Sequence, residues 1–75
     1  MKTYEIRQYE YAGQAETFVF DTHTMPEGST PQDVLEAYER WTGMDRSTEF
    51  VTVTDEDDNV FEFDVRRKVT FERRQ

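Results

Sequence analysis

The segment from Thr30 to Gly43, TPQDVLEAYERWTG, decides the fold class, because it carries the start and the end signals of one α-helix. Thr30 is a suitable N-cap residue, Pro31 suits the first helical position, and Asp33 stands where a capping-box acid belongs. Gly43 can end the helix in a left-handed conformation. These signals predict a helix over residues 31–42.

The apolar residues of this helix predict how it packs. Val34, Tyr38 and Trp41 recur at the spacing of one helical face, with Leu35 and Ala37 beside them. A helix with one apolar face needs a sheet or a second helix to cover it. The rest of the chain supplies strands.

Two strands are predicted before the helix, at residues 3–11 and 16–21, where β-branched and aromatic residues alternate with polar ones. The residues 12–14, Ala-Gly-Gln, provide the turn of a β-hairpin. The apolar phase shifts between Ile6 and Tyr9, which indicates either a bulge or apolar groups on both faces of the sheet.

Two further strands are predicted after the helix, at residues 48–54 and 60–73. In the last segment apolar residues fall on odd positions: Phe61, Phe63, Val65, Val69 and Phe71. A three-residue loop at 57–59 with Asn59 left-handed predicts the register of this second hairpin. That register pairs Val53 with Phe63, Val51 with Val65, and Glu49 with Arg67.

The resulting order, ββαββ, resembles the β-grasp arrangement of ubiquitin-like and protein G-like domains, at the level of element order and of segments such as KTYEI (2–6) and DVLEAY (33–38). The resemblance implies an α+β fold with a mixed four-stranded sheet, ordered 2-1-4-3, and one helix packed on one face. An antiparallel α+β sheet with another strand order is the alternative. The chain lacks the terminal Gly-Gly of conjugated modifiers, and a fold resemblance alone implies no activity.

Length and composition predict a single domain over residues 1–75. Six Phe, four Tyr and one Trp stand beside one Ile and one Leu, so we expect an aromatic and valine-based core. The chain has no Cys, which excludes disulfides and thiolate metal sites. No segment has the length and hydropathy of a membrane span, and we expect a cytoplasmic protein.

The charge of the chain is strongly uneven along its length. Residues 1–64 carry a net charge of −12 and residues 65–75 a net charge of +4, which together give −8. Such a chain repels nucleic acid and anionic membranes and attracts basic protein surfaces. The basic residues near the C-terminus do not predict direct nucleic-acid binding, because strand alternation places Arg66 and Lys68 opposite Arg67.

Two groups of residues are the predicted protein-binding sites. The acidic group, which offers negative charge to a basic partner, consists of Asp55, Glu56, Asp57, Asp58, Glu62 and Asp64. The aromatic group, which would lie on the open sheet face or an edge, consists of Tyr9, Tyr11 and Phe50. The second group allows protein association, including a homodimer formed through a sheet edge.

The sequence contains no convincing catalytic, metal or cofactor site. Asp55, Asp57 and Asn59 have the initial spacing of a calcium loop, but Val60 and Arg66 replace its glycine and its closing glutamate. His23 is the only histidine and is expected in an exposed loop. We therefore expect a protein that is not an enzyme and has no metal or cofactor.

Two interpretations of the acidity remain open. In the first, the protein is a nucleic-acid mimic that blocks a host nucleic-acid-binding protein. It is then similar in type to small phage-encoded inhibitors such as anti-CRISPR proteins. In the second, the acidity only keeps a small domain solvated, as in halophilic proteins, and any association uses a sheet edge or the aromatic face.

Overall fold

The structure, a computed structural model, describes residues 1–66 and 70–74. These residues form five strands and one helix. In chain order the elements are β1 (Lys2–Tyr9), β2 (Val19–Met25), α1 (Pro31–Trp41), β3 (Phe50–Thr54), β4 (Val60–Arg66) and β5 (Thr70–Arg73).

The strands form one sheet in the order β2-β1-β3-β4-β5, and every neighbouring pair is antiparallel. The α+β class is confirmed, whereas the mixed four-stranded sheet ordered 2-1-4-3 is wrong. The antiparallel alternative has the correct strand direction. Every residue of β3 is buried, including Thr52 and Thr54, so this strand needs neighbours on both sides and occupies the centre of the sheet.

The last predicted strand, residues 60–73, is in fact two strands. β4 and β5 pair with Val65 opposite Phe71 and Phe63 opposite Arg73. Odd-numbered residues of β4 pair with odd-numbered residues of β5. The apolar residues therefore stay on odd positions in both strands, and their alternation gives no sign of the turn. Residues 67–69, between the strands, lie outside the described part of the chain.

The predicted register of the β3–β4 hairpin is wrong by two residues. The structure pairs Val53 with Phe61 and Val51 with Phe63. The left-handed residue is Asp58, with φ of 64°, and not Asn59. The five-residue loop 55–59 replaces the expected three-residue one.

This register also removes the basis of the expected ion pair between Glu49 and Arg67. The Val65 N–H donates to the Glu49 carbonyl oxygen at 3.1 Å, so Glu49 stands opposite Val65. Arg67 itself lies outside the described residues.

The first hairpin is confirmed in outline, but β2 begins later than predicted. The N–H of Phe18 and the hydroxyl of Thr17 both donate to the Gln8 carbonyl, at 3.1 and 2.7 Å, while the β-ladder register places Val19 opposite Gln8. Two residues opposite one is the geometry of a β-bulge. The bulge delays β2 to 19–25, and His23 consequently lies in a strand and not in a loop.

The helix signals are confirmed at both ends. Thr30 accepts from the Asp33 N–H at 3.1 Å, the Asp33 carboxylate accepts from the Thr30 N–H at 3.0 Å, and Gly43 has φ of 90°. Trp41 was expected on the buried face but is 78% exposed. It is the last helical residue, and Met44 packs against the core just after the turn.

The helix packs on one face of the sheet, and the core lies between them. This face presents Ile6, Val51 and Val53 from the central strands and Phe63 from β4. Among the described residues, the buried cluster comprises Tyr4, Ile6, Val34, Leu35, Tyr38, Val51, Val53, Phe63 and Phe71. The core is therefore aromatic and valine-rich, as composition indicates.

The side chain of Gln8 is polar and is buried beside this core, next to the buried Thr48. Its Nε2 donates to the Tyr38 hydroxyl at 3.1 Å, and its Oε1 accepts from the Asp45 N–H at 3.0 Å and the Thr48 hydroxyl at 2.6 Å. The Tyr38 hydroxyl in turn donates to Asp21 at 3.1 Å. Burial, reinforced by Asp21, raises the pKa of Tyr38. Gln8 therefore links β1, the helix and the 43–49 loop.

Substitution of Gln8 by leucine should destabilise the protein strongly, because Asp45, Thr48 and Tyr38 each lose a buried hydrogen-bond partner. We expect Gln8→Leu to lower the free energy of unfolding by about 2–4 kcal/mol, measured by urea denaturation. Gln32→Leu, at a partly exposed helical position, is the matched control and should change it by less than about 0.5 kcal/mol. Equal effects of the two variants would contradict this role of Gln8.

Candidate protein-binding surface

The acidic loop 55–59 is organised by one of its own carboxylates. Asp55 Oδ1 accepts from the N–H groups of Asp57 and Asn59, both at 2.9 Å, and Oδ2 accepts from Asn59 Nδ2 at 3.0 Å. These hydrogen bonds satisfy backbone donors in a tight loop. Asp55 is therefore a structural residue, and the loop presents the other acids.

The remaining loop acids have different environments. Glu56 accepts from the Thr3 N–H at 3.0 Å and ties the loop to the start of β1. Asp57 and Asp58 are exposed, and the structure gives their carboxylates no hydrogen bond or ion pair within residues 1–66 and 70–74. The acids with exposed, unengaged carboxylates in this loop are thus Asp57 and Asp58.

Glu62 and Asp64 lie on the open face of β4, away from the helix, but they are not equivalent. Both carboxylate oxygens of Asp64 accept from Arg74 Nε, at 2.9 and 3.0 Å, and Oδ2 lies 3.8 Å from Arg66 Nη2. The Asp64 side chain is only 19% exposed. Glu62 is exposed and has no ion pair among the described residues. The predicted pair therefore offers only Glu62 to a partner.

A groove of about 590 Å³ runs over the open face of the sheet. Its floor contains Thr52 and Thr54, and Asp58 and Glu62 stand at its wall. Val60 lies between them in sequence and is 57% exposed. The described residues that line the groove are Glu5, Arg7, Tyr9, Ala12, Gly13, Gln14, Phe50, Thr52, Thr54, Asp58, Val60, Glu62 and Arg74. We call Asp57, Asp58, Val60 and Glu62 the acidic surface.

The two arginines of the groove are held by contacts within the protein. Arg7 is 3.0 Å from Glu5 and 3.3 Å from the Thr54 hydroxyl, and its guanidinium lies 4.8 Å from the Phe20 ring centre. Arg74 binds Asp64 and lies 5.2 Å from the ring centre of Phe50.

The other described cations near the C-terminus are also engaged. Arg66 Nε lies 2.9 Å from Glu72, and the Arg73 guanidinium lies 4.6 Å from the Phe61 ring centre and 5.9 Å from that of Phe63. Such exposed contacts contribute little to stability. Among the described residues of this segment, Arg66 and Arg74 pair with the carboxylates of Glu72 and Asp64, whereas Arg73 keeps its full charge beside an aromatic ring.

The aromatic group is only partly available. Tyr9 and Phe50 pack with their ring centres 5.6 Å apart, and Phe50 is buried beneath Arg74. Tyr11 is 60% exposed and lies beyond β1. Sequence reasoning missed the exposure of Phe18 and Phe20, because the phase shift between Ile6 and Tyr9 in β1 does not locate the extra residue, which lies at the start of β2.

The candidate ion sites receive no support from the geometry. Among residues 1–66 and 70–74, no three His, Asp or Glu side chains are placed to hold a metal ion. The Asp55 carboxylate is occupied by donors of its own loop, and His23 packs edge-on against Tyr38 at 6.0 Å.

The one described helix is too short to cross a membrane.

Comparisons with known proteins find no matching family model, no similar curated protein and no similar solved structure.

The hydrogen bonds within the loop lower the pKa of Asp55 below its ordinary value of 3.8, with the Asn59 side chain as the largest cause. A depressed carboxyl pKa contributes stability above the unfolded-state pKa, and this contribution is lost as the pH falls through the folded-state pKa. We expect an NMR titration of the Asp55 carboxyl carbon to show a midpoint below 3.8. Asn59→Ala should move it back toward 3.8, and an unchanged midpoint would contradict the assignment.

Proposed function

We propose that the protein is a non-enzymatic binding module whose acidic surface docks on a basic protein surface. The best specific candidate partner is a nucleic-acid-binding protein, whose nucleic-acid site the module would occupy. The observation that supports this proposal is the exposure of Asp57, Asp58 and Glu62 without described ion pairs, while Arg7 and Arg74 are held inside the groove.

Charge and spacing both favour a basic partner. A net charge of −8 on 75 residues produces long-range attraction to a cationic surface and accelerates association. Asp58 and Glu62 line the same groove, so their negative charges act together. A nucleic-acid-binding site is a surface built to receive closely spaced negative charges.

The acidic surface also has an apolar centre. Val60 is exposed between the loop acids and Glu62, and burial of such a side chain on binding adds a contact that nucleic acid itself would not make. An apolar centre within a polar rim is the usual organisation of a protein–protein interface. We accordingly place the docking site at this end of the open face.

In this proposal the protein acts in the cytoplasm, as a small phage-type inhibitor of a host defence protein would. The role requires no catalytic residue, cofactor or metal. It also requires no membrane and no direct contact with nucleic acid. The inhibitor competes with nucleic acid for the same cationic site.

The test is affinity capture from a bacterial lysate with three forms of the protein. The surface variant combines Asp57→Asn, Asp58→Asn and Glu62→Gln, and changes the net charge from −8 to −5. The matched control combines Glu10→Gln, Glu16→Gln and Glu27→Gln, exposed positions that give the same charge. We expect wild type and control to recover a nucleic-acid-binding protein that the surface variant loses, because only the surface variant lacks the docking charges.

Duplex DNA is the competitor that distinguishes mimicry from general acidity. DNA added before capture should displace the wild-type protein from its partner. Equal retention by both variants, or capture that is indifferent to DNA, would rule out mimicry through the acidic surface.

A second candidate, a halophilic domain whose acidity is solvation, is favoured by the distribution of the other acids. Exposed carboxylates also occur on the helix and the loops, at positions that do not line the groove: Glu10, Glu16, Glu27, Asp33, Glu36, Asp45 and Glu49. Such a domain would act through an uncharged part of its surface.

Thermal unfolding against KCl concentration separates the two candidates. The fold of a binding module does not depend on high salt. We therefore expect a cooperative unfolding transition in low-salt buffer, followed by circular dichroism. Screening of acid repulsion should then raise the midpoint only moderately in molar KCl. A chain that is unfolded in low salt and gains stability steadily to molar KCl would instead support the halophilic alternative.

A further inference from the structure

We propose that the chain forms a two-fold symmetric dimer in which the β2 strands of two copies pair antiparallel, with Thr22 on the symmetry axis. This inference concerns the sheet edge and is independent of the acidic surface. Its occupant is a second copy of the same chain.

The backbone of β2 presents hydrogen-bonding groups to solvent at alternate residues. The Gln8 carbonyl is directed toward β2, because it accepts from the Phe18 N–H. The β2 residues that pair with even-numbered residues of β1 therefore direct their N–H and C=O groups toward β1. The residues between them turn theirs outward: Phe20, Thr22 and Thr24. The exposed edge therefore offers three residues for pairing with another strand.

The two edges of the sheet differ in how well they are protected. β5 has four residues and carries Glu72 and Arg73, and a short charged edge resists strand addition. β2 has seven residues, and Asp21 is its one formal charge at neutral pH. Phe20, on its open face, is 53% exposed. Between Val19 and Met25 the edge lacks the proline and lysine residues that commonly prevent pairing, and Pro26 follows directly after it.

The low charge of this edge permits the approach of a second copy, and the position of the acidic loops sets its orientation. Two chains of net charge −8 repel each other, and the segment 17–26 contains one charged residue, so they approach there with least repulsion. Loop 55–59 lies at the end of the sheet where β2 finishes, because Met25 pairs with Lys2 and Glu56 binds Thr3. An antiparallel two-fold places the two acidic loops at opposite ends of a ten-stranded sheet.

The register centred on Thr22 is self-complementary. It places Asp21 opposite His23 of the partner subunit, a carboxylate beside an imidazole, on the helix face of the sheet. Val19 then faces Met25 of the partner subunit, and Phe20 faces Thr24 of the partner subunit. Every facing pair combines compatible side chains.

One hydrogen bond of the Asp21 carboxylate changes its donor when two β2 strands pair. In the single chain, Asp21 Oδ1 accepts from the Thr22 N–H at 2.8 Å, while Oδ2 accepts from Tyr38. On pairing, the Thr22 N–H donates to the carbonyl of Thr22 of the partner subunit. Asp21 Oδ1 then becomes available to the facing imidazole, so no hydrogen-bonding group is left unsatisfied.

The first test is sedimentation equilibrium over a range of protein concentrations. The wild-type chain should approach a mass of twice 9.0 kDa as concentration rises. Thr22→Pro removes the outward N–H without removing a hydrogen bond to β1, and should leave a folded monomer. Thr22→Val retains the N–H and, as the control, should still dimerise. A wild type that stays at 9.0 kDa at millimolar concentration overturns the proposal.

Engineered cysteines test the register directly and remain informative if Thr22→Pro does not fold. The natural chain has no Cys, so Thr22→Cys introduces a single thiol that meets its symmetry mate about 5.5 Å away between Cα atoms, within disulfide range. Thr24→Cys is the matched control, because its two copies lie four residues apart along the strands, about 13 Å.

Under mild oxidation, Thr22→Cys should give mostly covalent dimer and Thr24→Cys mostly monomer. A mixture of Phe20→Cys and Thr24→Cys chains should form the mixed dimer. Equal cross-linking rates for Thr22→Cys and Thr24→Cys would indicate random collision, and would overturn the proposed register even if the wild type associates.

Discussion

The buried amide of Gln8 is the interaction on which the rest of the structure depends. It receives the Asp45 N–H and the Thr48 hydroxyl, and so brings the chain that leaves the helix back to the C-terminal end of β1. The Glu49 N–H then donates to the Tyr9 carbonyl at 3.0 Å. This hydrogen bond places the beginning of β3 beside the end of β1, with the two strands antiparallel. A buried amide with all its polar atoms satisfied is also a strong determinant of a unique packing arrangement.

The strand order explains how a small acidic chain obtains a core. With β3 between β1 and β4, the helix covers Ile6, Val51 and Val53, and Thr52 and Thr54 line the groove on the other face. The arginine side chains of the sheet therefore make packing contacts with aromatic rings as well as ion pairs. Arg74 covers Phe50, and Arg73 covers Phe61, so cationic side chains complete apolar contacts at the sheet's margins.

This use of the cations leaves an asymmetric surface. The loop end of the sheet exposes carboxylates around Val60, whereas the β2 edge exposes backbone groups, aromatic rings and threonines with a single carboxylate. The two proposals use these two regions separately. A basic partner is suited to the first region, and a second copy of the chain to the second, since like-charged molecules associate where their charge is sparsest.

Local signals predicted the elements well and their arrangement poorly. Thr30, Asp33 and Gly43 act within one or two turns of chain, so the helix ends could be predicted from adjacent residues. The single strand expected over residues 60–73 failed because a hairpin with odd residues facing odd ones preserves the alternation. Among the predicted site residues, Asp57, Asp58 and Glu62 are exposed, whereas Asp55 and Asp64 are engaged by partners that sequence spacing did not identify.

By itself, the sequence determined that the chain is acidic and α+β, with a capped helix and an aromatic core, because caps, turns and apolar alternation are properties of neighbouring residues. Only the tertiary structure decided the order β2-β1-β3-β4-β5, the contacts of Arg7, Arg66, Arg73 and Arg74, and which of the described carboxylates remain exposed. Those properties depend on contacts such as that between Gln8 and Thr48, forty residues apart, and no local pattern specifies which distant groups will meet.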